Sequence, residues 1–228
     1  SWGIDNVKVY ALGLSCNDDS FCDDFESGSF STGNWTASSG SESSVVVGTS
    51  NSITGTYSAE FYGGAWDLFN DPAVGWNGGS YNSTSAQAWS SISHISAIDM
   101  CLDLATVSTG SVVMELDYNS SAWSNYHENS WFRVLVNGGV LADANGNLDH
   151  HLPGPLTLSY DLSAYIGTAP TITLQASCQW DDTWGDFVFV DNLCIIVADV
   201  LGCTDPAACN YDPLATIDDG SCIFPDGC

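Results

Sequence analysis

Apolar and polar side chains alternate at period two along most of the chain, and no segment sustains a helical period over three turns. Ser111 to Tyr118 sets Val112, Met114, Leu116 and Tyr118 on one face against Val113, Glu115 and Asp117 on the other. Trp131 to Val136 runs into Asn137-Gly138, a pair that favours the tight turn of a hairpin, and the pattern resumes at Val140-Leu141. Further strands are expected near Ser44–Val47, Ala59–Tyr62, Ile98–Leu104, Leu156–Tyr160, Thr171–Ala176 and Phe187–Val197, with Gly, Ser, Asn and Asp clusters between them. Roughly ten strands, with nine each of Trp, Tyr and Phe to fill the space between two sheets, predict an all-β fold: an antiparallel β-sandwich of jelly-roll type.

The last stretch follows different rules. From Gly202-Cys203-Thr204-Asp205-Pro206 to Asp218-Asp219-Gly220-Ser221-Cys222, cysteine, aspartate and proline crowd a segment with almost no apolar content. Such a segment cannot fold on a hydrophobic core, so disulfides, a cation or both must hold it. Gly227-Cys228 repeats Gly202-Cys203, as though a second copy were beginning. At the other end, Ile4-Asp5-Asn6-Val7 echoes Val190-Asp191-Asn192-Leu193, the pattern of a modular array. The expected organisation is a strand echoing a preceding module plus connector at 1–15, a sandwich at 16–200, and a small, loop-like, disulfide-rich cassette at 201–228. The orphan strand at 1–10 either adds to its own sheet or is donated to a neighbouring copy, giving head-to-tail filaments.

Charge narrows the partners. Two strongly basic residues, Lys8 and Arg133, stand against 28 acidic ones, a formal charge of −26. Nucleic acids and anionic membranes need Lys and Arg to neutralise phosphate, so neither is an expected partner. No run reaches the roughly 18 apolar residues of a membrane helix, and any export signal is expected outside this sequence. So much negative charge calls for salt or Ca²⁺. Nine cysteines, with Cys-x5-Cys spacing at 16/22, 203/209 and 222/228, point to an oxidising compartment. Zinc sites favour closer pairs, so disulfides are the better reading. The expected bonds are Cys16–Cys22 as a local staple, Cys203–Cys222 and Cys209–Cys228 in the tail, and Cys101–Cys194 across strands, with Cys178 left over.

Several short motifs resemble a known family. Cys22-Asp23-Asp24-Phe25-Glu26-Ser27-Gly28 leads to Trp35; Ser58-Ala59-Glu60-Phe61, Met114-Glu115-Leu116-Asp117-Tyr118, Tyr160-Asp161-Leu162-Ser163 and Val190-Asp191-Asn192-Leu193 follow in order. This resembles the MAM-like and reelin-like jelly-roll modules of large secreted or surface proteins, especially those of Bacteroidota exported by the type IX pathway. The tail resembles the acidic GCTDP…NYDP…DDGSC repeats near the ends of similar proteins. The resemblance implies adhesion or spacing more than catalysis. It also implies a structural Ca²⁺ where the first and last strands meet, on Glu26 and Asp191 with Asp24 nearby. The alternative is that Asp191 caps a turn and Glu26 faces solvent. Asp205, Asn210, Asp212, Asp218 and Asp219 form a second oxygen-rich set that lacks the EF-hand pattern, and it reads equally as a solvated acidic turn.

Catalytic signals are weak. Glu115-Leu116-Asp117 starts a glycosidase-like acidic motif, but Asn119 and Ser120 stand where the second glutamate should be, leaving an outward acidic stripe. His94, His127, His150 and His151 lack metalloprotease spacing, and His150-His151 reads as a solvent-exposed polar loop. No nucleophile elbow or phosphate loop is present. Trp66, Trp76, Trp123, Trp180 and Trp184 lie among Gly, Asn, Asp and Ser; Trp66 and Trp184 are the candidates for stacking on a sugar, and capping of the core is the competing role. The leading expectation is thus a non-enzymatic, Ca²⁺-stabilised extracellular spacer or adhesin unit. The alternative is a carbohydrate-binding module of a secreted polysaccharide-degrading enzyme.

Overall fold

The structure, a computed structural model, describes residues 16–63, 89, 92–108, 110–120, 130–151, 154–178, 187–213 and 215–224. The Asp5-Asn6 strand, Trp66, Trp76, Trp123, His127, Trp180, Trp184 and Cys228 lie outside the described residues.

Thirteen strands are described: β1 (Cys22–Asp23), β2 (Thr36–Ser39), β3 (Ser44–Gly48), β4 (Ser58–Tyr62), β5 (Ile95–Cys101), β6 (Ser111–Ser120), β7 (Ser130–Val136), β8 (Gly139–Leu141), β9 (Leu156–Asp161), β10 (Thr171–Cys178), β11 (Phe187–Ala198), β12 (Leu201–Gly202) and β13 (Ile217–Asp218). One sheet runs β3-β4-β11-β6-β9 with β1 also on β11; the other runs β2-β5-β10-β7-β8. All pairings in these two sheets are antiparallel, and together they form a jelly-roll sandwich. Asn137 and Gly138 both take positive φ, 51° and 79°, as the two-residue turn between β7 and β8 requires.

Period two decides which side chains meet between the sheets. Val112, Met114, Leu116 and Tyr118 of β6 face Phe132, Val134 and Val136 of β7 and Ile172 and Leu174 of β10 in one continuous core. Phe132 is the hub, its ring 5.4 Å from Tyr118 and 6.5 Å from Phe61 on β4. Truncating a buried ring of this kind typically costs about 3–5 kcal/mol.

Strand β11 carries an irregularity that the site depends on. Val188 and Val190 point inward, but beyond the Asp191-Asn192 pair the inward residues are Leu193 and Ile195. The register against β6 shifts between Asp191 and Cys194, and Asn192 has φ 48°. One extra residue in a left-handed conformation is a β-bulge, and it resets the parity of the strand. On one side of β11, β4 pairs with Phe187–Val190 and β1 with Leu193–Cys194, so the bulge sits in the gap between them.

The cysteine pairing differs from the expectation at two points. Cys16 bonds Cys101 and Cys22 bonds Cys194, in place of a Cys16–Cys22 staple and a Cys101–Cys194 bridge. Topology is the reason: Cys101 ends β5 in one sheet and Cys194 lies on β11 in the other. The segment before β1 runs beside β5, where Asn17 bridges Leu102, and β1 then places Cys22 opposite Cys194. In the tail, Cys203 bonds Cys222, and Cys209 is also disulfide-bonded. The tail holds a short parallel pair, β12 with β13, and buries little beyond Cys203 and Ala208.

Candidate functional site

Two places gather polar side chains. The first is the β11 bulge. Asp191 is fully buried on the outer side of its sheet, and its Oδ2 accepts from the Thr54 amide at 2.9 Å and from the Thr54 hydroxyl at 3.2 Å. Glu26, in the turn after β1, accepts from the Thr56 and Tyr57 amides at 2.7 and 2.8 Å. The 54–57 loop therefore holds both carboxylates. Gly55 makes this possible: its φ is 61°, and a Cβ there would collide with the Glu26 carboxylate. Burial pushes the Asp191 carboxyl above its ordinary range; hydrogen bonds from Thr54 and Asn192 pull against this, and the Glu26 charge adds to it.

The oxygens here suit a hard cation. Asp191 and Glu26 repel each other, and among the described residues no Lys, Arg or His forms an ion pair with either. The Asn192 amide oxygen and the Thr54 hydroxyl add neutral donors of the kind Ca²⁺ accepts. Asp24 is exposed and accepts from the Glu26 amide, lining a cleft of about 370 Å³ with Ser27, Thr32 and Asn192. Among the described residues no three carboxylate, His or Cys side chains gather as one ligand group.

The tail aspartates are not brought together in this way. Asp205, Asp218 and Asp219 each accept from an amide two residues on, at Ala207, Gly220 and Ser221. Asn210 donates to the Ser221 carbonyl and accepts from the Ile223 amide, tying the two halves of the cassette. Asp212 packs beside Gly202. These side chains shape turns, the role that short acidic residues take in loops.

The second place is the outer face of the five-stranded sheet. Ser38, Ala97, Gln175 and Arg133 stand in register across β2, β5, β10 and β7. Arg133 Nε donates to Gln175 Oε1 at 3.0 Å, and its guanidinium carbon lies 3.9 Å from the centre of the Trp89 ring. Trp89 Nε1 in turn donates to Asp149 Oδ1 at 3.0 Å. Trp131, two residues before Arg133 on the same face, stacks with His151 at 4.5 Å. Beside Gln175 a groove of about 500 Å³ runs over Ser38, Gly40, Ser93 and Ala97. Arg133 and Trp89 were not among the sequence candidates. The signal available was a strongly basic residue at an outward position of β7 in a chain of net charge −26.

The histidines depart from expectation. His150 is buried, not solvent-exposed: its backbone pairs with Phe132, which draws the loop into the core. Its ring lies 6.0 Å from Tyr118 and 6.4 Å from Tyr160, with Nε2 3.7 Å from Asp143. Burial lowers its pKa, outweighing the pull of Asp143 and Asp149. The same environment pushes the Tyr118 phenol up to about 12. His94 pairs with Glu42 at 3.4 Å. Glu115 and Asp117 lie on the outward face of β6, where Asp117 accepts from Thr157 and Asn192.

No family model matches the chain, and no curated protein matches it. Among solved structures, the xylan-binding CBM22-1 domain of Paenibacillus barcinonensis Xyn10C is 15% identical, with TM-score 0.42 over 79% of this chain and 94% of that one. The cellulose-induced protein Cip1 is 14% identical, with TM-score 0.44 over 79% and 98%. The C-terminal family 22 carbohydrate-binding module of Clostridium thermocellum Xyn10B is 16% identical, with TM-score 0.40 over 78% and 93%. At these identities the likeness is one of fold.

Proposed function

We propose that this chain is a non-catalytic extracellular glycan-binding module, with the ligand crossing the outer face of the five-stranded sheet. The observation that carries the reading is the Trp89–Arg133–Gln175 cluster beside a serine-lined groove. Sugars present apolar ring faces and dense hydroxyls, and aromatic rings, amides and fixed donors match both. The disulfides between distant residues suit an oxidising, extracellular setting. Of the two expectations raised by the sequence, this favours the carbohydrate-binding module over the spacer or adhesin. The filament reading depends on the strand at 1–10, outside the described residues. The MAM-like and reelin-like ancestry remains a resemblance of short motifs.

Ca²⁺ belongs to the proposal as a structural ion, held by Glu26 and Asp191 and joining the β11 bulge to the 54–57 loop. No role in ligand contact is assigned to it.

Calorimetry and glycan arrays test the reading with Trp89→Ala, Gln175→Ala and the sequence candidates Trp66→Ala and Trp184→Ala. Trp89→Ala should weaken binding about tenfold or more, since an aromatic stack with its cation contributes about 1–2 kcal/mol. Absence of glycan binding by the unsubstituted protein, or binding indifferent to Trp89 and Gln175, would overturn it and return the spacer reading to first place.

A further inference from the structure

Arg133 is held by two contacts that fix the plane of its guanidinium. Nε is committed to Gln175, and one face of the guanidinium lies on Trp89. Among the described residues its two terminal amino groups make no hydrogen bond or ion pair. Asp149, whose Oδ1 takes the Trp89 indole N–H, acts on Arg133 through its charge without forming an ion pair with it, and Asp99 on the same face takes the Thr173 hydroxyl. The result is a pre-oriented planar fork of N–H donors, half-buried next to Gln175, which lines the groove.

A guanidinium fixed in this fashion is suited to one chemistry above others. Its paired N–H groups match the two oxygens of a carboxylate, and charge-assisted bonds of this type are about twice as strong as neutral ones. Side-chain entropy is already spent on the Trp89 and Gln175 contacts, so little more is lost on binding. The row from Ser38 to Arg133 crosses four strands, about 14 Å at the usual interstrand spacing, which accommodates a short run of sugar rings with an acid group at the Arg133 end.

We infer that the ligand is an acidic glycan, a sugar chain bearing uronic acid residues whose carboxylate is taken by Arg133. This rests on the glycan-binding reading and narrows it. The chain's net charge of −26 restricts the ligand further: a dense polyanion would be repelled at low salt, whereas a mostly neutral chain with sparse carboxylates would not. At moderate ionic strength screening limits repulsion to about 8 Å, so the local contact with Arg133 decides.

The test compares a glucuronic-acid-bearing oligosaccharide with the same oligosaccharide after reduction of its carboxyl to the alcohol, both titrated into the disulfide-intact protein. The acid form should bind about tenfold or more tightly. Arg133→Gln should bring the ratio of the two affinities to about one, whatever happens to the absolute values, and Arg133→Lys should restore only part of it. Melting curves of both variants verify folding. Equal binding of the two sugars by the unsubstituted protein overturns the acid preference while leaving the glycan reading intact; binding of neither sinks the reading beneath it. A ratio unchanged in Arg133→Gln, or an acidic peptide competing as well as the sugar, also overturns the inference.

Discussion

Asp191 stands directly opposite Asp117 across the β11–β6 ladder, and Asn192 Nδ2 donates to Asp117 Oδ2 at 2.9 Å. Like charges paired across strands are destabilising, so this pairing persists because its surroundings compensate it. Asn192 is the compensating group within the chain: it also donates to the Thr54 hydroxyl at 3.0 Å, and so ties the bulge to both neighbours.

Replacing Asn192 should therefore cost more than its partial exposure suggests. Asn192→Ala loses the side-chain hydrogen bonds to Asp117 and Thr54 and places a Cβ-bearing residue without local compensation at φ 48°, a penalty of roughly 2 kcal/mol in denaturant unfolding. Asn192→Gly relieves the backbone and should cost less. If Gly proves as damaging as Ala, the side-chain bonds alone carry the effect.

Adding Ca²⁺ to chelator-treated protein should raise the melting temperature. An ion at 100 times its dissociation constant stabilises by about 2.7 kcal/mol. Asp191→Asn and Glu26→Gln should each remove most of the shift, whereas Asp24→Asn should remove little, because Asp24 is exposed and turned to the Glu26 amide. A melting curve unmoved by chelation contradicts the metal assignment.

Acid should weaken the fold through His150. Its folded pKa lies below the ordinary 6.5, so its contribution to stability is intact above that value and is lost as pH falls through the folded pKa. Asp143, whose carboxyl is held below 3.8 by bonds from Asn147 and Asn145, loses its contribution at lower pH, in the same direction. Denaturant midpoints measured between pH 7 and 5 should fall for the unsubstituted protein and flatten in His150→Gln. Equal slopes would show that His150 does not titrate in this window.

Non-reducing peptide mapping should recover Cys16–Cys101 and Cys22–Cys194. Removing the second pair as Cys22→Ser with Cys194→Ser should cost about 2–5 kcal/mol, the usual effect of losing a native disulfide. Recovery of a Cys16–Cys22 peptide would instead favour the local staple.

The strands were legible because a half-buried β-ladder imposes period two on its own sequence, and β6 displays it without interruption from Val112 to Tyr118. The short strands β1 and β2 were not, since two to four residues hold too little pattern. Asp191-Asn192 was visible as a motif, yet its meaning, a bulge that reverses the parity of β11, depends on what β1 and β4 do on the neighbouring ladder. Cysteine spacing misled for a related reason: five intervening positions say nothing about which sheet each sulfur will reach. His150 was misread because its loop is polar, and only its backbone pairing with Phe132 carries it inside. Arg133 needed a register to become meaningful, since Gln175 is its partner 42 positions away.

The two N-terminal disulfides also bear on how the module carries load. Tension entering at Cys16 can run through the short segment to Cys22, cross to Cys194 and leave at the end of β11, near Ala198. The 172-residue span closed by the Cys22–Cys194 bond lies off that route. Pulled between residue 16 and residue 198, the domain would stretch by little more than a few residues' worth of chain before the covalent route through Cys22–Cys194 is taut. A domain anchored in this fashion keeps its sheets in shape under shear, and reduction of the Cys22–Cys194 bond converts a short link into a long elastic one.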